Sequence, residues 1–407
     1  MLRVLQVCHK MPFPLKDGGA VSIYNTAAGL LNLGVSLKIF AVNTPKNLIK
    51  GEEVPDDFKN KTQFESEIID TGVKPVKAFM NLFSNKSYFV TRFYSKKFEN
   101  RLIKILKKQN FDIVQLEHVY LGLYIDTIRK HSNAKIVLRP QNVESQLWKR
   151  YLENVNNPLK KYYLEIATQR LFKFERKTAN SVDGIMGISP NDSGVFSKWV
   201  PKTPVSNIPV GYEINTNNVS SPDFFERESG FPVFYHLGSM DWLPNVQAVK
   251  WFISDVIPII KKSVGNFRFR IAGKNMPEYF YKLKNASLIV DGEIEDPRKY
   301  QSDKQVMIVP LLSGGGIRVK IIEGMVLGKV VISTPLGAEG IPYSDGVNIL
   351  IADSKEEFAK KIVECINSWK HCTEIGKNAR LLASQYFDRS KLAEKMILFY
   401  EDVISKT

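Results

Sequence analysis

The chain has 407 residues, 44% of them apolar and 24% charged, and its formal net charge is +15. This length predicts two or three globular domains. No stretch approaches the roughly 18 apolar residues of a membrane-spanning helix. The first residues also lack the long apolar segment and cleavage site of a signal peptide. We therefore expect a cytoplasmic protein, either soluble or peripheral at the inner face of a membrane.

Few residues are suited to holding a metal ion or forming disulfides. The three cysteines are scattered, the five histidines show no metal-ligand spacing, and no Asp-x-Asp pair occurs. Two close carboxylates are what a divalent metal on a nucleotide would need. We predict no metal site, no cofactor and no disulfide framework.

Short apolar strands alternate with helical segments along the whole chain. Residues 44–74 are polar and irregular, and residues 213–232, rich in Asn, Ser and Pro, form the best linker candidate. This alternation predicts an α/β protein with parallel sheets in two halves, with ligands at the carboxyl ends of the strands in a cleft between them. Strands are predicted at 2–8, 36–42, 111–117, 134–139, 182–189, 233–238, 267–273, 287–292, 306–312 and 329–334, and helices at 21–33, 143–151, 159–177, 190–199 and 246–262, with three more between 354 and 405.

The glycine-rich segment SGGGIRVKIIE, which follows the strand at 306–312, is the most informative part of the chain. Gly314, Gly315 and Gly316 precede two cations, Arg318 and Lys320, at the predicted start of a helix. Such a loop exposes backbone N–H groups at the positive end of a helix dipole. This arrangement suits the binding of a phosphate or diphosphate. The alternative is a strand–turn–helix whose glycines only permit tight packing.

Glu323 comes one helical turn after Lys320 in the same segment. A carboxylate at this distance from an anion site is better placed to accept hydrogen bonds from hydroxyl groups, such as those of a ribose, than to meet a phosphate. The loop that contains Glu339 follows the next strand, so it either faces the same ligand or is a simple glycine turn.

Polar residues and glycines also follow strands in the first half. Gly18 and Gly19 permit close approach of a phosphate or sugar, or else only start a helix. Glu117 and His118 end a strand and could serve proton transfer or hydroxyl binding, or act as a cap or surface ion pair. Asn142 lies in a dense polar segment after the next strand, where it could instead cap the following helix.

The positive charge is concentrated in residues 74–110, which hold ten Lys or Arg residues and one acidic residue, Glu99. The segment 95–108 within this region has the pattern of a basic amphipathic helix. It either lies on an anionic membrane surface or packs on the first sheet with a solvated basic face. Its apolar face comprises Phe98, Leu102, Ile105 and Leu106, and its basic face Lys97, Arg101, Lys104 and Lys108.

Several motifs resemble those of family-4 retaining glycosyltransferases, in the branch with an SGGGxRxKxxE donor-site motif. They are PLKDGGA, GISPNDS, HLGSMDWLPNVQAVKWF, the segment 313–341 and FDRSKLAEKMILFYEDV, which together cover nearly the whole chain. The resemblance implies the GT-B fold, in which two Rossmann-like domains face each other across a cleft. It places an acceptor-side domain at 1–212, a nucleotide-sugar domain at 213–388 and a closing helix at 389–407 that packs back on the first domain.

The resemblance also implies an activity. A metal-independent hexosyltransferase would move a sugar from a nucleotide-diphosphate sugar to a glycan or lipid-linked acceptor, with retention, in bacterial surface polysaccharide synthesis. The donor diphosphate would lie on the loop Gly314–Gly316 beside Arg318 and Lys320, with the ribose on Glu323 and the acceptor or reacting sugar near Glu117 or His118. The donor side would further include Gly18, Gly19, Asn142, Gly238 and Glu339.

One departure from the family pattern and two alternatives bear on this interpretation. The first glutamate of the family's usual pair would stand at position 315, where this chain has Gly315. A nucleotide-sugar epimerase of the same fold would need acid–base residues in both halves. A basic nucleic-acid-binding protein would use residues 74–110, but the chain contains no nucleic-acid-binding motif, so we expect no nucleic-acid partner.

Overall fold

The computed structural model describes residues 1–46, 48–153, 155–214, 232–265 and 267–406. The chain folds into two compact units. The first contains Met1–Leu15, Gly19–Gly211 and Arg389–Thr407, and the second contains Lys16–Gly18 and Tyr212–Asp388. Most of the predicted linker, residues 215–231, lies outside the described residues.

The first unit is built on a parallel sheet of seven strands in the order β3-β2-β1-β4-β5-β6-β7. The central strands are apolar runs buried on both faces, as expected for a parallel sheet covered by helices on each side. The strands are β1 (Arg3–Cys8), β2 (Ser36–Asn43), β3 (Glu65–Ile68), β4 (Ile113–Glu117), β5 (Lys135–Arg139), β6 (Gly184–Gly187) and β7 (Val205–Asn207).

The helices around this sheet include a C-terminal one, whose residues Met396, Tyr400 and Val403 join the core beside β1. The Tyr400 hydroxyl donates to the side chain of Gln115 on β4. The helices are α1 (Gly18–Asn32), α2 (Asp56–Thr62), α3 (Pro75–Asn81), α4 (Tyr88–Thr91), α5 (Lys96–Lys108), α6 (Ile125–His131), α7 (Glu144–Glu153), α8 (Pro158–Asn180), α9 (Pro190–Trp199) and, at the chain end, α17 (Arg389–Ser405).

The second unit has a parallel sheet of six strands in the order β10-β9-β8-β11-β12-β13. Its strands are β8 (Phe234–Leu237), β9 (Phe269–Ala272), β10 (Leu288–Gly292), β11 (Val306–Val309), β12 (Val330–Ser333) and β13 (Leu350–Ile351). Its helices are α10 (Leu243–Trp251), α11 (Ile257–Ser263), α12 (Glu278–Lys282), α13 (Pro297–Ser302), α14 (Val319–Val326), α15 (Lys355–Asn367) and α16 (Trp369–Tyr386). Both sheets therefore have the strand–helix alternation that the sequence predicts.

Some elements differ from the prediction. The segment 44–74 is not wholly irregular, because it contains α2 and the edge strand β3. The helix predicted at 246–262 is divided by a π-helical turn at Phe252–Val256 into α10 and α11. The three helices predicted between 354 and 405 are confirmed as α15, α16 and α17.

The packing of helix α5 bears on the two alternatives for segment 95–108, a membrane-surface helix or a helix packed on the first sheet. Its four apolar residues are buried in the core of the first unit, where Phe98 stacks on Phe40 of β2 with ring centroids 4.2 Å apart. Two cations of its other face pair with the edge strand, Lys97 with Glu67 at 3.0 Å and Arg101 with Glu65 at 2.6 Å. The apolar face of α5 is thus occupied by the sheet, which favours the second alternative, a helix that packs on the first sheet with its basic face outward. Among the described residues, no helix is both long and apolar enough to cross a bilayer.

Candidate functional site

The glycine loop after β11 has a backbone that only glycine adopts readily. Gly314 and Gly316 have φ values of +103° and +80°, in the left-handed region where a side chain would be strained. The chain then turns through Arg318, which is the N-cap residue of α14. The first turn of this helix, with its partial positive charge, therefore starts directly after the loop.

Arg318 is held beneath the loop by an aromatic ring. Its guanidinium carbon lies 4.9 Å from the ring centroid of Trp242, and its Nη1 donates to the Gly315 carbonyl. A Cβ atom at Gly314 would lie 2.8 Å from Cζ2 of Trp242, so the loop can pass over the indole only without a side chain there. Arg318 is 7% exposed, and its position depends on both the ring and the glycine.

Lys320 reaches across the sheet from the first turn of α14. Its Nζ donates to Asn245 Oδ1 at 2.9 Å and to the Leu237 carbonyl at 3.2 Å. A Cβ atom at Gly238 would lie 2.9 Å from this Nζ, which explains why a glycine follows β8. Burial, together with the nearby charge of Arg318, lowers the pKa of Lys320 to about 7.

His236 on β8 completes the surroundings of this ammonium group. Its Nδ1 lies 2.8 Å from the Ile308 carbonyl, so this nitrogen is the donor and Nε2 is the acceptor. Nε2 lies 3.4 Å from Lys320 Nζ. Burial and the neighbouring Lys320 hold the pKa of His236 well below its usual value, so the ring is neutral and orients the lysine.

Glu323 lies one turn further along α14 and is largely buried. Burial raises the pKa of its carboxyl above the usual value, and the neighbouring Arg298 opposes this shift. Arg298 Nε lies 3.8 Å from the carboxylate, a distance that leaves room for a ligand hydroxyl to compete for it. The carboxylate is therefore a hydrogen-bond acceptor on the same helix as the two cations.

The loop after β12 is bonded to the loop after β11, because the two strands are parallel neighbours. The Thr334 hydroxyl donates to the Leu311 carbonyl at 2.7 Å and accepts from the Gly337 N–H at 2.9 Å. Glu339 lies half-buried in this second loop. The structure thus brings together Gly238, Arg318, Lys320 and the loop containing Gly314, Gly315 and Gly316, with Glu323 and the Glu339 loop adjoining them.

In the first unit, Glu117 is fully buried at the end of β4. Its carboxylate accepts from Gln6 at 2.7 Å, from Gln115 at 2.5 Å and from Gln141 at 3.1 Å. Arg139 Nη1 lies 3.5 Å away and is also fully buried. These contacts enclose the carboxylate, so Glu117 orients the ends of the central strands rather than presenting itself to a ligand.

His118 follows directly and pairs with Glu144 at the start of α7. The His118 Nε2 lies 3.2 Å from Glu144 Oε1, and its Nδ1 accepts from the Tyr120 N–H at 3.3 Å. Burial would raise the pKa of Glu144, but His118 and the Tyr120 hydroxyl hold it below its usual value. This carboxylate therefore remains charged and fixes the tautomer of His118 with the proton on Nε2.

His9, which follows β1, lies against His118 with ring centroids 4.4 Å apart. Its Nδ1 lies 2.6 Å from the Glu117 carbonyl, so Nε2 is the acceptor nitrogen of the ring. Burial, His118 and Lys10 hold the pKa of His9 well below its usual value. The half-buried ring is a neutral hydrogen-bond acceptor suited to a hydroxyl group.

The remaining predicted residues lie at or just before the starts of two helices. Gly18 begins α1 and belongs to the second unit, where a Cβ atom would lie 3.4 Å from Val319 Cβ, whereas Gly19 belongs to the first unit. Asn142 precedes α7 and donates to Glu144 at 3.4 Å. Within the described ranges, no three His, Cys, Asp or Glu residues are grouped to hold a metal ion.

Besides Glu144, which lies in the same predicted polar segment as Asn142, four residues of the site, His9, His236, Trp242 and Asn245, are not among those that the sequence predicts. His9 could have been found from its position, because it follows β1 as His118 follows the neighbouring strand β4. The other three have no local signal, because their role comes from interactions with residues more than 70 positions away.

Comparison with known proteins agrees with this architecture. Residues 231–368, which include the glycine loop, match the sequence model of the family described as Glycosyl transferases group 1. The chain is 27% identical over 306 residues to an uncharacterized 44.6 kDa protein in the cps region of Klebsiella pneumoniae, which covers 72% of this chain and 74% of that protein.

Two solved structures are similar over nearly their whole length. Anabaena HepE in complex with UDP superposes with a TM-score of 0.64 at 12% identity, covering 99% of this chain and 100% of that one. Sucrose-phosphate synthase from Thermosynechococcus elongatus has a TM-score of 0.70 at 14% identity, with 100% of both chains covered. The chain therefore has the GT-B fold, with two Rossmann-like domains, as the sequence predicts.

Proposed function

We propose that this protein is a glycosyltransferase that moves a sugar from a nucleotide-diphosphate sugar to a glycan or lipid-linked acceptor, with retention of configuration, in polysaccharide synthesis. The observation that carries the proposal is the pair of cations, buried Arg318 and partly buried Lys320, at the start of α14 behind a glycine loop. Holding two like charges together costs free energy, and a bound diphosphate removes that cost. The match of residues 231–368 to a glycosyltransferase family supports this assignment.

The leaving group of such a reaction is a nucleoside diphosphate, which gains negative charge as the glycosidic bond breaks. Arg318 and Lys320 would stabilise this charge, and the N–H groups at the start of α14 would add to their effect. We propose that this replaces a divalent metal. Glu323 would accept hydrogen bonds from the ribose, and Gly238 would let Lys320 approach the phosphates.

In the first unit we assign the acceptor-side role to His118, His9 and Glu144. His9 Nε2 would accept a hydrogen bond from a sugar or acceptor hydroxyl, and Glu144 would hold His118 in one tautomer. Glu117 acts through these groups as a positioning residue, because its backbone carbonyl fixes the His9 ring. The relative encoded in the Klebsiella pneumoniae cps region supports a part in polysaccharide synthesis.

The test is incubation of the purified chain with a panel of nucleotide sugars and polysaccharide fragments, in EDTA, with mass detection of products. We expect nucleoside diphosphate and a glycosylated acceptor, with activity unchanged by chelation. A changed sugar nucleotide formed without any acceptor would instead identify an epimerase. Turnover that stops in EDTA and returns with Mg²⁺ or Mn²⁺ would contradict the role given to Arg318 and Lys320.

A further inference from the structure

A short segment of the first unit exposes several large apolar side chains. Helix α3 and its flanks form what we call the α3 patch, in which every member is more than half exposed. The members are Val73 (66%), Val76 (72%), Phe79 (62%), Met80 (59%) and Phe83 (83%). Scattered apolar residues on a surface need no explanation, but contiguous ones indicate an interaction site.

The spacing of these residues makes the patch continuous. Val76, Phe79, Met80 and Phe83 stand at i, i+3, i+4 and i+7, which is one face of a helix. The chain keeps turning after α3, with the Phe83 N–H bonded to the Met80 carbonyl at 3.2 Å. The rings of Phe79 and Phe83 also contact edge to face, with centroids 5.8 Å apart.

The patch is anchored to the rest of the unit at both ends. At its start, the Lys74 N–H donates to the hydroxyl of buried Tyr88 at 2.9 Å. At its end, Arg170 of α8 donates to the Asn81 carbonyl at 2.8 Å and to the Leu82 carbonyl at 2.9 Å. The backbone of this segment is therefore fixed while its apolar side chains point outward.

A basic pocket of ≈ 430 Å³ adjoins the end of the patch, and Arg170, which anchors that end, also lines the pocket. Besides Arg170, the pocket is lined by three lysines, Lys86 from the turn after the patch and Lys173 and Lys177 from α8, against one acidic residue, Asp126. Four cations around such a volume favour an anionic group of the size of a phosphate with its ester.

We propose that the α3 patch and this pocket together dock the protein on an anionic bilayer. The apolar side chains enter the interfacial layer, and the pocket takes a phospholipid phosphate. The joint presence of aromatic residues, a methionine and flanking lysines matches the chemistry of that surface. The inference goes beyond the proposed function and does not rest on it, because it uses none of the residues given a role in sugar transfer.

The test is co-sedimentation of the full chain with vesicles of phosphatidylcholine, alone or equimolar with phosphatidylglycerol, at low and high salt. We expect binding only to the anionic vesicles and a decrease with salt. The patch variant Val76→Ser/Phe79→Ser/Phe83→Ser should bind about 100-fold more weakly. The pocket variant Lys86→Glu/Lys173→Glu/Lys177→Glu should lose at least about fivefold for each cation.

Matched controls separate the site from general surface effects. Lys104→Glu/Lys107→Glu/Lys108→Glu changes the net charge equally on the exposed face of α5, and Leu48→Ser/Leu381→Ser/Leu398→Ser removes three other exposed leucines. Both should bind like the wild type, and every variant should keep its melting temperature and nucleotide affinity.

Three outcomes would overturn the proposal. The first is absence of sedimentation on anionic vesicles at low salt. The second is equal binding by the patch, pocket and control variants. The third is a dimer, detected by light scattering, that dissociates in the patch variant, because a second copy of the chain would then be the occupant of the patch.

Discussion

Lys320 is the residue on which the proposed chemistry depends most. An ammonium group with a pKa of about 7 is easily deprotonated in the absence of ligand, and a diphosphate nearby restores its charge. The neutral ring of His236 and the side chain of Asn245 hold it in place without adding a negative charge of their own. This arrangement keeps the cation available for an anionic ligand.

Replacing Lys320 by Met should abolish most activity without unfolding the protein. Loss of one charge partner of the transition state is worth roughly 3 kcal/mol, or about 100-fold in turnover. The melting temperature at pH 7 should not fall, because the variant no longer buries an ammonium group. Turnover assays and thermal unfolding measure both effects.

Lys329 supplies the matched control for this substitution. Lys329 directly precedes β12, and its Nζ donates to the Ser302 carbonyl at 3.3 Å. Burial lowers the pKa of Lys329 to about 7, as it does for Lys320. Lys329→Met should therefore have a similar effect on stability but none on turnover. Equal activity in the two variants would remove Lys320 from the proposed site.

At the scale of elements, the loop between β11 and α14 holds Arg318 in place through two features. These are the positive φ values of its glycines and its packing on Trp242. Gly314→Ala should reduce nucleotide-sugar affinity, because the new Cβ strains a positive φ and displaces the indole that carries Arg318. Gly34→Ala is the control, since Gly34 also has a positive φ, +79°, but meets nothing within 4 Å.

Each glycine variant should lose about 1–2 kcal/mol of stability from the left-handed backbone, and Gly314→Ala should lose more, because its Cβ also meets Trp242 at 2.8 Å. Calorimetric titration with a nucleotide sugar should separate them, with weaker binding in Gly314→Ala only. If both variants bound like the wild type, the loop geometry would have no part in holding the donor.

The sequence predicted the central elements well because buried parallel strands are continuous apolar runs. It did not predict β3, whose residues Glu65 and Glu67 look like loop residues. These acids suit an edge strand because Lys38, Lys97 and Arg101 pair with them. The pattern of α5 likewise revealed a two-faced helix but could not say whether the sheet or a bilayer covers its apolar face.

For the site residues too, the sequence predicted what a local pattern shows and missed what depends on distant parts of the chain. Arg318, Lys320 and the three glycines lie within seven positions of one another, so their local pattern was enough to predict a phosphate site. Asn245 and His236 act on Lys320 from 75 and 84 positions away, and only the folded sheet brings them together. Glu117 was correctly placed at a strand end, but its enclosure by three glutamine side chains could not be predicted.

At the scale of the whole molecule, the two units have different proposed tasks. The second unit would bind the donor. The histidine cluster of the first unit, His9 and His118, would act on the acceptor or the reacting sugar. This separation predicts that variants in each unit change different kinetic quantities.

His9→Gln and His118→Gln should each lower turnover about 10²–10⁴-fold while leaving nucleoside diphosphate affinity unchanged. His371→Gln, at an exposed position of α16, is the control and should behave as wild type. Steady-state kinetics and calorimetry together test this division. A loss of nucleotide affinity in the first-unit variants would show that the cluster contributes to donor binding instead.

The pH dependence of nucleotide binding follows from Lys320. Below pH 7 the lysine is already protonated and diphosphate affinity should be highest. Above pH 7 binding must take up a proton, so affinity should fall by up to about tenfold per pH unit until the raised pKa of the complex is reached.

Proton uptake on diphosphate binding tests the central claim most directly. Titration of UDP into the protein at pH 8, in EDTA and in two buffers of different ionisation enthalpy, measures it by calorimetry. With a pKa of about 7 in the free protein, uptake should reach up to about 0.9 proton per site in the wild type and Lys329→Met. Lys320→Met should take up none. Binding of UDP to the wild type without proton uptake would contradict the proposal that Lys320 meets the diphosphate.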